Sequence, residues 1–273
     1  MIQIKKSYPE RIVCLTEETT ETLYALGEQN RIVGISGFTV RPPRARKEKP
    51  RVSAFTSAKI DKILALQPDL VLGFSDIQAD IAAALIKAGV TVHVFNHRSV
   101  AEILQMIRVL GGMIGCQQKA EDYAAGLEAG LHKALDERPA PRVYFEEWDD
   151  PLISGIRWVS ELVELAGGEE CFPEYAMASL AKGRIIADPQ RVIDAAPDII
   201  IGSWCGKKFR PERVAERQGW AQVPAVANGQ MFEVKSAMIL QPGPAALTDG
   251  LEALRAIVRQ WHAAGYVRGE VSS

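Results

Sequence analysis

Short apolar runs rich in β-branched residues alternate along the chain with stretches whose apolar positions recur every three or four residues. The first four runs are RIVCL (11–15), RIVGIS (31–36), DLVLGF (69–74) and VTVHVF (90–95). Their near-continuous apolar character predicts strands buried on both faces. Between them, residues 17–27 carry Leu23 and Leu26 ahead of Gly27, and residues 57–67 and 76–89 also show helical spacing, the latter closed by Gly89. Strands separated by amphipathic helices predict a parallel sheet covered on both faces.

The same pattern then returns. KILALQPDLVLG (62–73) aligns with RVIDAAPDIIIG (191–202), so that Pro68-Asp69 matches Pro197-Asp198. RIVCLTEETTETLYALG aligns at nearly the same offset with the stretch beginning RVYFEEWDDPLISG. Two matches in register predict two Rossmann-like α/β lobes with a ligand cleft between them; one interrupted domain is the rival reading. Residues 117–141 carry an apolar stripe at Ala120, Tyr123, Ala124, Leu127, Leu131 and Ala134, stopped by Pro139 and Pro141. Such a bridging helix would span roughly 30 Å and allow the lobes only a small rocking motion. The expected divisions are an N-terminal lobe over 1–98, a helical segment over 99–138 and a C-terminal lobe over 139–273.

Composition narrows the class. With 273 residues, 47% hydrophobic, 24% charged and a formal net charge of −2, the chain has the make-up of a globular protein. Mixed charge argues against nucleic acid or an anionic membrane as the main partner. The basic run RPPRARKEKPR (41–51) reads as a solvated loop. No stretch is long enough to span a membrane, so the chain is not expected to be an integral membrane protein. The N-terminus has no apolar signal-peptide core, so the chain is either cytoplasmic or lacks its export signal here. Four scattered cysteines with no C-x-x-C spacing fit free thiols, although spacing alone leaves a disulfide open.

In open parallel sheets, ligands bind beyond the carboxyl ends of the strands. That rule selects Glu17 and Glu18 after the first strand, Phe38 and Arg41 after the second, and Phe74, Ser75 and Asp76 after the third, with Phe55 in the loop between. Asn96 and His97 follow the fourth. The second lobe offers Glu147, Trp148, Asp149, Trp158, Tyr175, Arg184, Trp204, Lys207 and Ser236. Each has a plainer reading. Phe55 and Phe74 fit a core, Trp158 fits a helix packed on the sheet, Arg41 and Arg184 fit a solvated surface, and Lys207-Lys208 fits a surface pair. The acids of EEWDD (146–150) would cap a turn leading into a helix, with Glu17 and Glu18 doing the same one lobe earlier. Gly111-Gly112 and Gly167-Gly168 read as helix C-caps. No G-x-S-x-G, H-E-x-x-H or Walker A motif is present, and His93 and His97 have no third ligand in view, so no catalytic centre is expected.

Two such lobes around one helix resemble the class III substrate-binding proteins of ABC importers, and the cobalamin-binding branch in particular. The likeness runs from RIVCLTEETTETLYALG through RPP…RVSAF and ILALQPDLVLGF to DPLISG…VSELVELAGGEECF. Together with the strand-end rule, it gives an expected ligand set of Glu18, Phe38, Arg41, Phe55, Phe74, Trp148, Trp158, Arg184, Trp204 and Ser236. An aromatic wall of the family falls at Phe74, whereas two other family aromatics fall at Arg41 and near Arg184. Arginine stacks on conjugated faces and also grips carboxylates, which shifts weight towards an anionic ligand. The family's acidic permease-docking positions fall at Asp80 and at Gln190, with Asp188 nearby. The resemblance implies a monomeric binder with no intrinsic cofactor, which captures cobalamin or another corrinoid for an ABC permease in the periplasm. A ferric-siderophore binder with an arginine-lined cleft, or a cytoplasmic carrier, sensor or enzyme on the same fold, are the alternatives.

Overall fold

The computed structural model describes residues 8–132 and 139–269. The chain divides into two compact units, residues 1–97 with 101–129, and residues 98–100 with 130–273. The first holds β1 (Ile12–Cys14), β2 (Ile32–Ser36), β3 (Arg51–Ser53), β4 (Leu70–Phe74) and β5 (Val92–Phe95). All pairs are parallel, in the order β3-β2-β1-β4-β5. Every residue of β1 and β4 is buried, as continuous apolar runs require. One face packs Val13, Leu15 and Val71 against Ile63, Ile81 and Leu85. The basic run is more than a loop. It holds a helical turn, Ala45–Glu48, pinned by buried Ala45 and by Tyr24 donating to Glu48 at 2.6 Å, and its last arginine starts β3.

The second unit holds β6 (Arg142–Asp149), β7 (Leu152–Ser154), β8 (Glu169–Glu170), β9 (Ile199–Gly202) and β10 (Met231–Glu233). The order is β10-β9-β6-β7, with β8 also pairing β6. Within each unit the central strand has the successor of its Pro-Asp turn beside it: β4 beside β1, and β9 beside β6. The repeat has a physical basis. Asp69 accepts from the backbone N–H of Glu10 and Arg11 at 2.8 and 2.9 Å, and Asp198 accepts from Arg142 N–H at 2.8 Å. In each case the aspartate's own N–H returns to the central strand, at Arg11 O or Arg142 O. The second lobe departs from the repeat at β7, which pairs antiparallel with β6. The acids of EEWDD therefore run along β6 into a hairpin and do not cap a helix, because Asp150-Pro151 closes a reversal between two strands.

The helical segment after β5 is two helices, Val100–Met113 and Gln117–Leu131. The second carries the expected stripe, with Ala120, Ala124, Leu127 and Leu131 buried, and the boundary between units falls inside it, at residues 129–130. Residues 133–138 of the expected helix lie outside the described residues. Gly111 and Gly112 are not caps; they lie in the last turn of the first helix, and Gly115 is the left-handed residue after it, with φ +76°. Gly111 is there for proximity, since a Cβ on it would stand 2.1 Å from the Ala120 Cβ, whereas one on Gly112 would meet nothing nearer than 3.9 Å.

These neighbours give a paired prediction. Gly111→Ala gains helix propensity but overpacks the helix pair, and should cost roughly 1–3 kcal/mol. Gly112→Ala gains the propensity alone and should be neutral or stabilising by up to about 1 kcal/mol. Urea denaturation of the two variants checks the contrast.

Candidate functional site

In the first lobe the carboxyl ends of three strands are drawn together by one side chain. Gln78 is fully buried; it accepts from Phe74 N–H at 3.0 Å and donates to Phe55 O at 2.9 Å and Leu15 O at 3.4 Å. It thus joins the ends of β4 and β1 to the loop after β3. Phe74 is 6% exposed and meets the His97 ring edge-on at 5.1 Å, which makes it part of the lobe interior more than a wall. Ser75 follows at φ +68°, a region that side chains other than glycine rarely occupy, and its hydroxyl donates to Asp76 at 2.6 Å. Phe55 is half-buried, and Phe38 stands 57% exposed after β2. Arg41 pairs with Glu21 at 2.9 Å.

Glu17 and Glu18 are buried where β1 passes into the helix Glu17–Ala25. Glu18 accepts from the Thr16 hydroxyl at 2.5 Å, and the Glu17 Oε2 has no hydrogen-bond partner among the described residues. Burial pushes the Glu17 carboxyl up to about 7 and the Glu18 carboxyl up to about 8, Glu18 also feeling Glu17. Burial likewise pushes Glu170 up to about 7.

In the second lobe, three of the four EEWDD acids each meet a base from elsewhere in the chain. Glu146 is wholly buried and takes both Arg217 donors, at 2.6 and 2.9 Å, together with Trp204 Nε1–H at 2.9 Å. Burial works against the Arg217 charge, but Glu146 outweighs it and raises the guanidinium pKa. Glu147 binds Arg184, at 2.5 and 3.2 Å. Burial alone would raise Asp149, yet Lys207 and Arg213 hold it below the ordinary carboxylate range. Gly202 leaves room at this edge, because a Cβ there would fall 1.8 Å from the Phe209 ring.

Several expectations change here. Arg184 is neither solvated nor open to an anion, since it is 3% exposed and also donates to Ser154 O at 2.7 Å. Trp158 is a core residue, with Nε1–H donating to Ile239 O at 2.9 Å. Trp204 is 3% exposed and belongs to the lobe interior, so only its edge near Lys207 bears on a rim. Lys207 is no free surface residue. Trp148 is half-buried, with its N–H on Asp150 O at 2.9 Å, and Ser236 opens a short helix, half-buried. Asp80 is exposed in the first turn of Ala79–Lys87; Gln190 is exposed and donates to Asp194 at 2.8 Å. A concavity of about 690 Å³ lies within this lobe between Pro151, Ile186, Asp188 and Trp220, and of the candidate residues it takes in Asp149 and Gln190, with Asp188 beside the latter. Pattern reasoning missed Gln78 and Arg217, whose isolated polar letters carry no sequence signal.

The four cysteines are free. Among the described residues no group of three or more His, Cys, Asp or Glu is placed to hold a metal, and no helix is long and apolar enough to cross a membrane.

A model of the family described as periplasmic binding protein matches residues 12–238. The chain is 25% identical over 266 residues to an uncharacterised ABC transporter substrate-binding lipoprotein of Bacillus subtilis, covering 93% of this chain and 81% of the relative. It is 26% identical over 249 residues to the vitamin B12-binding protein of Vibrio vulnificus, covering 87% and 86%. Among solved structures, a possible iron-binding periplasmic solute-binding protein from Staphylococcus epidermidis superposes with a TM-score of 0.79 at 21% identity, covering 92% of this chain and 99% of the other; this likeness concerns the fold.

Two outcomes follow from the buried charges. Arg217→Met leaves Glu146 buried without its counter-charge and should cost about 3–5 kcal/mol in chemical denaturation. The raised carboxyls act in the opposite sense to a salt-bridged acid. Glu17 and Glu18 hold protons in the fold that the unfolded chain releases above the ordinary 4.5, so their contribution to stability falls as pH rises from about 5 to about 8 and is level beyond. The slope is at most about 1.4 kcal/mol per pH unit for each carboxyl. Glu17→Gln/Glu18→Gln should therefore gain on the wild type steadily across that range in urea midpoints; a constant gap would refute the assignment.

Proposed function

Because the chain belongs to the periplasmic binding protein family, we propose that it captures a bulky metal chelate, a corrinoid before others, for an ABC-type permease. The observation that carries this reading is the surface left by two aromatic rings at strand carboxyl ends, Phe38 at 57% exposure and half-buried Trp148, the latter also under the Lys207 ammonium. Apolar rings of this kind stack on a flat conjugated ligand and exclude water from it, while a polar group such as half-buried Ser236 sets its orientation; Glu18, 1% exposed, is too deeply buried to share that role. The vitamin B12-binding relative supports the ligand class. The ferric-carboxylate reading loses its main support, since Arg184 is held by Glu147 and Arg41 is turned to Glu21. Capture is an equilibrium event, and a rim fixed beforehand lowers its ordering cost.

Exposed Asp80 and Gln190 are the proposed contacts to the permease, with Asp188 beside the latter. A periplasmic location follows from the same reading, and the lipoprotein relative supports it.

Calorimetric titration with cyanocobalamin, and with haemin and ferric citrate in parallel, tests the ligand. Saturable one-to-one binding of cyanocobalamin is expected, and Phe38→Ala and Trp148→Ala should each weaken it by about tenfold, or about 1.4 kcal/mol. Binding of ferric citrate alone would discard the corrinoid and return attention to Arg41.

A further inference from the structure

Lys207 comes from a tight turn after β9. Its N–H donates to Trp204 O at 3.3 Å, and Gly206 at φ +79° allows the reversal. The turn brings the ammonium over the Trp148 ring, 4.1 Å from its centroid, and within 5.0 Å of the Trp204 ring. Asp149, with a side chain only 4% exposed, binds the same ammonium and also meets Arg213 at 3.3 Å. Two indoles and a carboxylate around one ammonium make an aromatic cage, an arrangement that elsewhere recognises free organic cations. Here the occupant is the protein's own lysine.

The two tryptophans differ in how they are held. Trp204 is fixed without Lys207, by its N–H to Glu146 at 2.9 Å and by the Phe209 ring edge at 5.0 Å. Among the described residues, Trp148 has a hydrogen bond to Asp150 O, two residues along its own hairpin, and partial packing on the lobe core. The ammonium over its face is the contact that fixes its plane. We infer that Lys207 is a positioning residue, which holds the Trp148 indole flat and ready as a platform for the conjugated face of the ligand. This rests on the reading of Trp148 as a ligand contact. It also implies a ligand that stacks on an indole, not one held by an ammonium grip, because the cation is already paired with Asp149.

The test has one arm without ligand and one with it. In the ligand-free protein, Lys207→Met should remove the part of the near-UV circular dichroism that Trp148→Phe also removes, and should make that indole more open to acrylamide quenching. Lys207→Arg keeps a cation over the ring and should restore both. In the second arm, whichever of cyanocobalamin, haemin and ferric citrate binds the wild type should bind Lys207→Met about five- to tenfold more weakly. The same change in a Trp148→Ala background should have no further effect. If none of the three probes binds the wild type, the ligand reading fails and the first arm alone decides the positioning. Unaltered spectra and quenching in Lys207→Met would overturn it. So would an undiminished loss of affinity in the Trp148→Ala background, since Lys207 would then act on the ligand directly.

Discussion

The aspartate that follows a proline at the start of β4 and of β9 is the constraint on which each lobe is built. A parallel sheet brings distant segments side by side and cannot set their register through a short hairpin. Asp69 and Asp198 set it instead, each carboxylate accepting backbone N–H from the start of the central strand while its own amide returns to that strand. Charge-assisted bonds of 2.8–2.9 Å at this point fix which residue faces which, and the apolar register of β1 with β4 and of β6 with β9 follows. A slip by one residue would turn the buried faces outward.

At the opposite ends of the strands the lobes part company. The first uses a neutral bracket, Gln78, which satisfies backbone groups from three segments without any charge. The second uses ionic ones, with Glu146 against Arg217 and Glu147 against Arg184. The ionic solution draws in residues 71 and 37 positions away, and it offsets desolvation with hydrogen bonds from the terminal nitrogens of both guanidinium groups. Both leave a rim whose backbone is held from beneath, so that side chains such as Phe38 and Trp148 present surface without carrying the fold.

This division explains what could be read from the letters. The β strands and the repeat were legible because burial on both faces demands continuous apolar runs, and because Pro-Asp does the same work twice. Short β3, β7 and β8 were not, since RVS, LIS and EE lack the continuous apolar run that marks the equally short β1. Family membership was readable from the order of these elements. At the rim the letters misled in one direction. Arg184 and Trp158 look like surface and contact residues, but a guanidinium with a buried carboxylate partner, or an indole with a carbonyl within reach, is at home in the interior. Such partners lie tens of residues away and have no local signature. Phe38 and Trp148 kept accessible surface because nothing distant claimed their faces, apart from the lysine.

Asp198 has one further bond, to the N–H of Gly269 at 2.6 Å, which ties the end of the described chain to the start of β6. That point lies at the amino end of the second-lobe sheet, while Trp148 and Ser236 lie at its carboxyl end. A surface linker or a fluorescent label attached beside Gly269 would therefore stand a sheet's length from the rim. The protein is in this respect already oriented for immobilisation on a sensor chip, with the proposed ligand rim pointing away from the support.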